Sequence, residues 1–461
     1  MNVARRVVDT HTLKLAVKGA VVLPDDSTYD AVRAVWNAMV DKRPAAIVRC
    51  ADEADVVATL GFARERGLPI SVRGGGHHIA GTSVCDGGVV IDLSTLKGVR
   101  VDAVARRAVV QPGALLADVD AATLAHGLAT PLGVNSTTGI AGLTLGGGFG
   151  WLTRQHGMTI DNLVSVRIVG ADGVVRRASA DEHRDLFWAI RGGGGNFGIV
   201  TEFTFALHPV PDQVLAGFLV FAMDDGREIL RKYREFVAHA PEALNVWAIL
   251  RKAPPLPFLP AEAHGREVVV LAVFYTGDLE SGESHVDRLR AFGPRLGEHV
   301  GAVPYGAWQQ VLDPLLAAGA RNYWKSHNFT ELSDGAIEAL TGYAGQLPSD
   351  HSEIFVALLS GAANRVPTSA TAYVGRDAKL VVNVHARWED ATGDDACISW
   401  ARAFYGAAAP FASGGAYVNF MTGDEAARVP AAYGENYQRL VDLKRRFDPE
   451  NVFRTNQNIA P

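Results

Sequence analysis

The sequence predicts an α+β protein built in two parts, and three observations carry that prediction. At 461 residues the chain exceeds what one compact core usually holds. Up to about residue 210, short strand-like runs and helical stretches interleave without a regular strand–helix–strand repeat. From 211 to 415 the strand-like runs lengthen and carry helices between them. That is the pattern of a large antiparallel sheet covered by helices on one face.

Taken in order, Val56, Val57, Leu60 and Ala63 recur at helical spacing within 51–66, and Gly67 suits a helix end. Ile70 and Val72 alternate as in a short strand, and residues 89–93 read as another. Residues 98–102 and 106–113 flank a turn as a hairpin, and 114–126 is helical again. In the second part strands are predicted at 214–222, 244–250, 267–275, 353–359 and 379–388, with helices near 226–239, 281–293 and 334–345. The Pro-rich stretch 253–260 is a loop. Strand 379–388 sorts Leu380, Val382, Val384, Ala386 and Trp388 onto one face, and Asn383, His385 and Arg387 onto the other. That polar face meets either solvent or a substrate cavity. A last helix over 433–446, led by Tyr433, Tyr437, Leu440 and Val441, ends at Asp448-Pro449.

Composition narrows the function. With 48% apolar and 20% charged residues, the chain is an ordinary globular protein. A net charge of −6 argues against nucleic acid or an anionic membrane as partner. No apolar run approaches the ~18 residues of a membrane span. The N-terminal stretch lacks the apolar core and cleavage site of a signal peptide, so the expected location is cytoplasmic. Cys50, Cys85 and Cys397 are scattered, without zinc or redox spacing, and no metal is expected. The 48 glycines follow no short period, which points to close backbone approach to a large ligand. Oligomeric state is not readable, because an apolar strand face serves a core or an interface equally well.

The glycines cluster. Arg73-Gly74-Gly75-Gly76-His77 follows the strand at 70–72, where glycines let successive N–H groups converge on an anion such as a diphosphate. No Lys-Ser/Thr pair follows, so this is not an NTP-binding P-loop. No helix follows directly either, so a Rossmann fingerprint fits poorly. Residues 133–150, GVNSTTGIAGLTLGGGFG, and 191–202, RGGGGNFGIVTE, add two further clusters. With Tyr323-Trp324-Lys325-Ser326, Tyr417-Val418-Asn419-Phe420 and the tail Asp448-Pro449-Glu450-Asn451, these motifs resemble the berberine-bridge-enzyme-like branch of the FAD-linked oxidases, in the vanillyl-alcohol-oxidase superfamily with its PCMH-type FAD-binding fold. The resemblance runs through roughly 400 residues in the family's order.

The resemblance implies an FAD-binding domain over 1–210, a substrate domain over 211–415 and a segment, 416–461, that returns to the first. It implies FAD attached covalently by His77 to the 8α-methyl of its ring, with His78 beside it unbonded. The cradle would include Arg73, Gly74, Gly75, Gly76, Gly81, Gly139, Gly142, Gly198 and Val200, with Tyr417 and Asn419 beside the ring; Arg73 could equally form a surface ion pair. Asn135 stands where many relatives carry a cysteine bonded to the flavin 6-position. An amide forms no thioether, so a singly attached flavin is expected. Thr138 occupies the position that gates oxygen and, close to valine in shape, favours an oxidase. His156 falls where relatives place a substrate-facing tyrosine, although a loop histidine is as good a reading.

The chemistry needs a base that takes an O–H or N–H proton as the adjoining C–H is oxidised. Tyr417 is one candidate, provided something stabilises its phenolate, since an ordinary tyrosine titrates near ~10. The family's active-site Gln or Glu aligns with Asn383, which orients but does not accept a proton at neutral pH. That moves the role toward Tyr417 or His385, with Lys325 as a further charge. The expected function is an oxidase that acts on an alcohol, lactol or activated C–H of a sugar or secondary metabolite, with O2 as acceptor and hydrogen peroxide as product. The alternatives are a dehydrogenase with another acceptor, or an amine-oxidising or ring-closing enzyme.

Overall fold

The computed structural model describes residues 9–461. Its first sheet has the strands Ala46–Arg49 and Ile70–Arg73 flanking Val89–Asp92 in parallel, with Ala20–Val22 antiparallel at the edge. The helix Glu53–Glu65 links two of them. Asp52 caps it by accepting from the Asp55 N–H. Val56, Leu60 and Ala63 are fully buried in one core with Val89 and Ile91, which is the face their spacing predicts. Asp55 is also buried, and accepts the N–H groups of Lys18, Gly19 and Ala51, each at 2.8 Å. Its carboxylate thus ties the N-terminal strand to this helix.

A second, antiparallel sheet has the order Val99–Asp102, Arg107–Val110, Ile199–Ala206, Leu163–Val169, Val175–Ser179. Its first two strands are the predicted hairpin. Its core takes in Val418, Met421, Val429, Tyr433 and Leu440 from the end of the chain. The fully buried Lys444 fastens this segment: its Nζ donates to Asp448 Oδ2 at 2.7 Å and to the carbonyls of Asn196 and Phe453 at 2.8 Å. A lysine without water must fill its three donor positions this way.

The third sheet is antiparallel, with seven strands in the order Arg295–Pro304, Gln213–Ala222, Glu267–Tyr275, Leu244–Lys252, Glu353–Leu358, Leu380–Trp388, Arg321–Phe329. Helices Gly226–Val237, Leu279–Arg290, Asp334–Ala344 and Asp394–Ala408 contribute to its core. The α+β class and the large helix-covered antiparallel sheet are therefore as expected. In this sheet, two strands and the helix Asp394–Ala408 escaped the sequence reading. Arg321–Phe329 reads RNYWKSHNF, too polar to look like a buried strand, and Arg295–Pro304 is a half-exposed, glycine-containing edge strand. No helix among the described residues is long and apolar enough to cross a membrane.

Candidate active site

One cavity is walled on one side by the glycine loops around residues 74–78, 133–142 and 194–200, and on the other by Trp247, Trp324, Glu353, Phe355 and His385 of the large sheet. One feature of its glycine wall holds the loops together, and two others fit a dinucleotide. Gly75 and Gly139 pack backbone to backbone: a Cβ on Gly75 would stand 2.5 Å from Gly139 N, and one on Gly139 would stand 2.3 Å from Gly75 N. Gly142 and Gly195 have open space where a side chain would project. The buried Tyr433 Oη and Asn456 Oδ1 line this wall and find no hydrogen-bond partner among the described residues. The residues present therefore fit FAD, with room for its chain and unspent polar atoms to hold it.

His77 stands at the end of the first loop. Gly76 takes φ +68°, a conformation only glycine adopts at little cost, and its carbonyl accepts from Trp36 N–H at 3.1 Å. The Trp36 ring stacks on the His77 ring with centroids 4.5 Å apart and planes at 20°. Burial in the cavity wall pulls the His77 pKa down to about 4, so the imidazole is neutral at pH 7. His78 lines the same cavity, and its Nδ1 accepts from Ala80 N–H at 3.2 Å. Asn135, Thr138, Gly198, Val200, Tyr417 and Asn419 also line it.

Other expected site residues lie elsewhere. Arg73 turns its guanidinium to the Val32 carbonyl and braces Gly76 from behind. Gly81 forms a turn with His78 and packs on Val40. His156 stacks on His208 with centroids 3.9 Å apart, outside the cavity lining. Asn383 is fully buried beyond the lining, and neither amide atom finds a partner among the described residues. Lys325 pairs with Asp424 at 3.2 Å and Glu425 at 3.4 Å and does not line the cavity. Asp161 clamps Arg376, at 2.7 and 2.8 Å, in a buried pair that joins two loops.

Sheet register assembles a polar group at the large-sheet wall of the cavity. Trp324, His385, Glu353 and Arg251 are direct cross-strand partners in successive strands, which puts their side chains in one row. Arg251 donates to Glu353 Oε2 at 2.9 Å, and His385 Nδ1 lies 3.6 Å from Glu353 Oε1. Burial pushes the Glu353 carboxyl up, but Arg251, helped by His385 and Arg387, brings it net below its ordinary value. Burial also outweighs the pull of Glu353 on His385, whose pKa is lowered. At neutral pH the pair is therefore a carboxylate beside a neutral imidazole. Asn322 Nδ2 donates to the Ala320 carbonyl, so Asn322 Oδ1 accepts from His385 Nε2–H at 2.9 Å.

Tyr417 stands just before Val418–Phe420, a turn of 3-10 helix. Its hydroxyl still meets Asn419, accepting from Asn419 Nδ2 at 3.0 Å and from Gly148 N–H at 2.9 Å. Burial outweighs both donors and pushes the phenol to about 12. Ionising it at pH 7 would cost about 7 kcal/mol, so this geometry favours a neutral hydroxyl that donates.

Glu353, Trp36, Asn322 and Thr137 were not singled out from sequence. Glu353 opens an apolar strand, EIFVAL, and only the register that sets it opposite His385 shows its setting.

Comparison with known proteins accords with this geometry. A family model described as FAD binding domain matches residues 44–179, and one described as berberine and berberine like matches 416–460. The chain is similar to (R)-6-hydroxynicotine oxidase of Paenarthrobacter nicotinovorans, 31% identical over 460 residues that cover 97% of this chain and 98% of the relative. Among solved structures, 6-hydroxy-D-nicotine oxidase from Arthrobacter nicotinovorans superposes with a TM-score of 0.87 at 29% identity, covering 97% of this chain and 99% of the other. A berberine-bridge-enzyme-like protein of Physcomitrella patens superposes with a TM-score of 0.88 at 25% identity, over 97% and 98%. With its FAD-binding loops joined to a ring-lined cavity on the large sheet, the chain belongs to the berberine-bridge-enzyme-like family of FAD-dependent oxidoreductases.

Proposed function

We propose that this protein is an oxidase that carries FAD through a single bond at His77 and oxidises an alcohol, lactol or similarly activated C–H of a small molecule, passing the electrons to O2 as hydrogen peroxide. The observation that carries the reading is the Glu353–His385 pair, an ionised carboxylate and a neutral imidazole that both line the cavity whose other wall holds a neutral His77. The flavin supplies the two-electron acceptor. Glu353 and His385 take the substrate's O–H or N–H proton, and Arg251 keeps the carboxylate ionised between turnovers. Tyr417 donates its hydroxyl proton to orient what binds. Asn135 supports single attachment, and Thr138, lining the cavity, suits an open path for oxygen.

A second reading, amine oxidation to an iminium, draws on the cavity wall. Trp36, Trp247, Trp324, Phe149, Phe355 and Phe420 give it a ring-rich surface suited to a flat heterocycle, and the 31% identical relative is named for nicotine chemistry. Anaerobic mixing with secondary alcohols, aldoses and cyclic amines, followed by loss of flavin absorbance, tests both readings. Glu353→Gln should slow that bleaching by roughly 10²–10⁴-fold while FAD remains bound. Unchanged bleaching in this variant would remove Glu353 from the chemistry. An air-equilibrated assay that forms no peroxide would turn the reading to a dehydrogenase.

A further inference from the structure

Two buried asparagines, Asn37 and Asn322, join His385 to the stretch of backbone that carries His77. Asn322 belongs to Arg321–Phe329, the outermost strand of the large sheet, and the Asn37 amide pairs with its backbone as a neighbouring strand would. Asn37 Oδ1 accepts the Asn322 N–H at 3.0 Å, and Asn37 Nδ2 donates to the Asn322 carbonyl at 3.0 Å. The same Nδ2 donates to the carbonyl of Ile79, two residues beyond His77, at 2.9 Å, and Oδ1 also accepts the Met39 N–H at 3.2 Å. The main chain around Asn37 repeats the pattern. Trp36 N–H donates to the Gly76 carbonyl at 3.1 Å, Ala38 N–H to the Ala320 carbonyl at 3.0 Å, and Gly319 N–H to the Trp36 carbonyl at 3.3 Å. Residues 36–38 therefore lie between the His77 loop and the edge of the large sheet, bonded to both. The Asn322 side chain carries the connection inward. Its Nδ2 meets the Ala320 carbonyl, which only accepts, at 2.7 Å, and its Oδ1 meets Arg387 Nη1, which only donates, at 3.1 Å. Those two partners fix how the amide is turned, and the same Oδ1 holds His385 Nε2 at 2.9 Å. Arg387 is anchored in turn by the Ala317 carbonyl at 2.6 Å. Trp36 stacks on His77 and lies 6.3 Å from the His385 ring, centroid to centroid, while Trp324 meets His385 edge-on at 4.9 Å.

We propose that Asn37 and Asn322 are positioning residues that fix the His385 ring relative to the His77 loop. This inference rests on the reading of Glu353 and His385 as proton acceptors and adds what sets their place. The two histidines are more than 300 residues apart in sequence, on segments that meet only in the folded chain. Apolar packing between such segments is non-directional and leaves room to slide. A displacement of about 1 Å at a reacting group can cost ~10²-fold in rate. Hydrogen bonds whose donors and acceptors are all assigned, buried from water, hold direction as well as distance. Asn37 supplies them between loop and strand, and Asn322 between strand and imidazole, with the Trp36 ring as the spacer beside them.

The test uses the flavin-loaded protein, bleached anaerobically by whichever secondary alcohol, aldose or cyclic amine reacts fastest with wild type. Asn37→Ala and Asn322→Ala should each slow bleaching at saturating probe by roughly five- to tenfold, the worth of one lost hydrogen bond, with the half-saturating concentration within about twofold. In a His385→Gln background neither substitution should slow it further, because both act through that ring. Asn322→Asp keeps the acceptor at His385 and adds a negative charge. The charged or titratable groups already facing His385 are Glu353 and Arg251 on neighbouring strands, Arg387 on its own strand and His77 across Trp36. A carboxylate added to this set favours the imidazolium, so the pH below which bleaching is lost should rise by about one unit. NMR of protein labelled with 15N-histidine, with the His385 signal assigned by its absence from His385→Gln, should show the same rise without any probe. Alanine variants that bleach at the wild-type rate would overturn the proposal, and so would equal slowing with His385 already removed. If an alanine variant does not fold, Asn322→Asp decides: an unmoved His385 titration would overturn the placing of that ring by Asn322. A His385→Gln variant that bleaches as fast as wild type would instead overturn the acceptor reading beneath it.

Discussion

Asp120 offers a stability prediction with a clear sign. It lies in the helix Leu116–Leu124, fully enclosed, with Gln309 Nε2 donating to Oδ2 at 3.1 Å and no partner for Oδ1 among the described residues. Gln309 follows the short helix Tyr305–Trp308, so the contact joins the helix Leu116–Leu124 to a segment beside the large sheet. Burial, offset only partly by Gln309, raises the carboxyl from its ordinary 3.8 to about 7. The folded protein therefore holds this proton over a range in which the unfolded chain has released it. Stability from this group is complete below pH ~4, falls as pH rises to about 7, and is lost above that. About three pH units at 1.36 kcal/mol each give a loss of about 4 kcal/mol. Asp120→Asn keeps the shape and cannot ionise, so it should match wild type near pH 4 and exceed it by up to about 4 kcal/mol at pH 8. Urea unfolding at pH 4, 6 and 8, read by tryptophan fluorescence, measures the difference. Parallel wild-type and variant curves across this range would refute the enclosed, protonated carboxyl.

The close approach of Gly139 to Gly75 predicts that Gly139→Ala abolishes FAD binding, since the new methyl would need the 2.3 Å between Cβ and backbone to open by more than an ångström; fluorescence of released flavin in the purified variant checks this. Asp161→Asn leaves the buried Arg376 guanidinium without its counter-charge and should cost about 3–5 kcal/mol, seen as a lower melting temperature with the reaction's pH profile unchanged. Asn383→Leu removes a buried amide with no partner and should leave the melting temperature equal or higher; a clear drop would show that the amide is satisfied after all.

The α+β class and most long strands were legible because alternation and helical spacing are local signals. Val56, Leu60 and Ala63 fall on the buried face their spacing assigns, and Leu380–Trp388 is the strand its alternation describes. Arg321–Phe329 was not legible, because its burial comes from packing at the sheet's far edge and not from its own apolar content. The glycine loop and His77 were readable because backbone approach to a ligand demands glycine in the sequence itself. Glu353 was not. Its importance arises from standing opposite His385 across two strands, a relation between distant segments that periodicity does not encode. Arg73 and Gly81 show the reverse: their place beside the motif suggested contact with the ligand, while their side of the backbone faces Val32 and Val40.

The seat of Lys444 bears on how the protein is made. Its hydrogen bond to Asn196 spans 248 residues of sequence, and the second sheet's core includes residues from the same late segment. At ordinary rates of synthesis, the flavin-binding half waits on the order of 10–50 s after its own strands have emerged before the chain that seals it arrives. Through that interval Phe203, Val166 and their neighbours lack their final cover, and the loops that grip the cofactor lack the wall formed by Tyr417, Tyr433 and Asn456. Cofactor capture is therefore a late event in the life of the nascent chain.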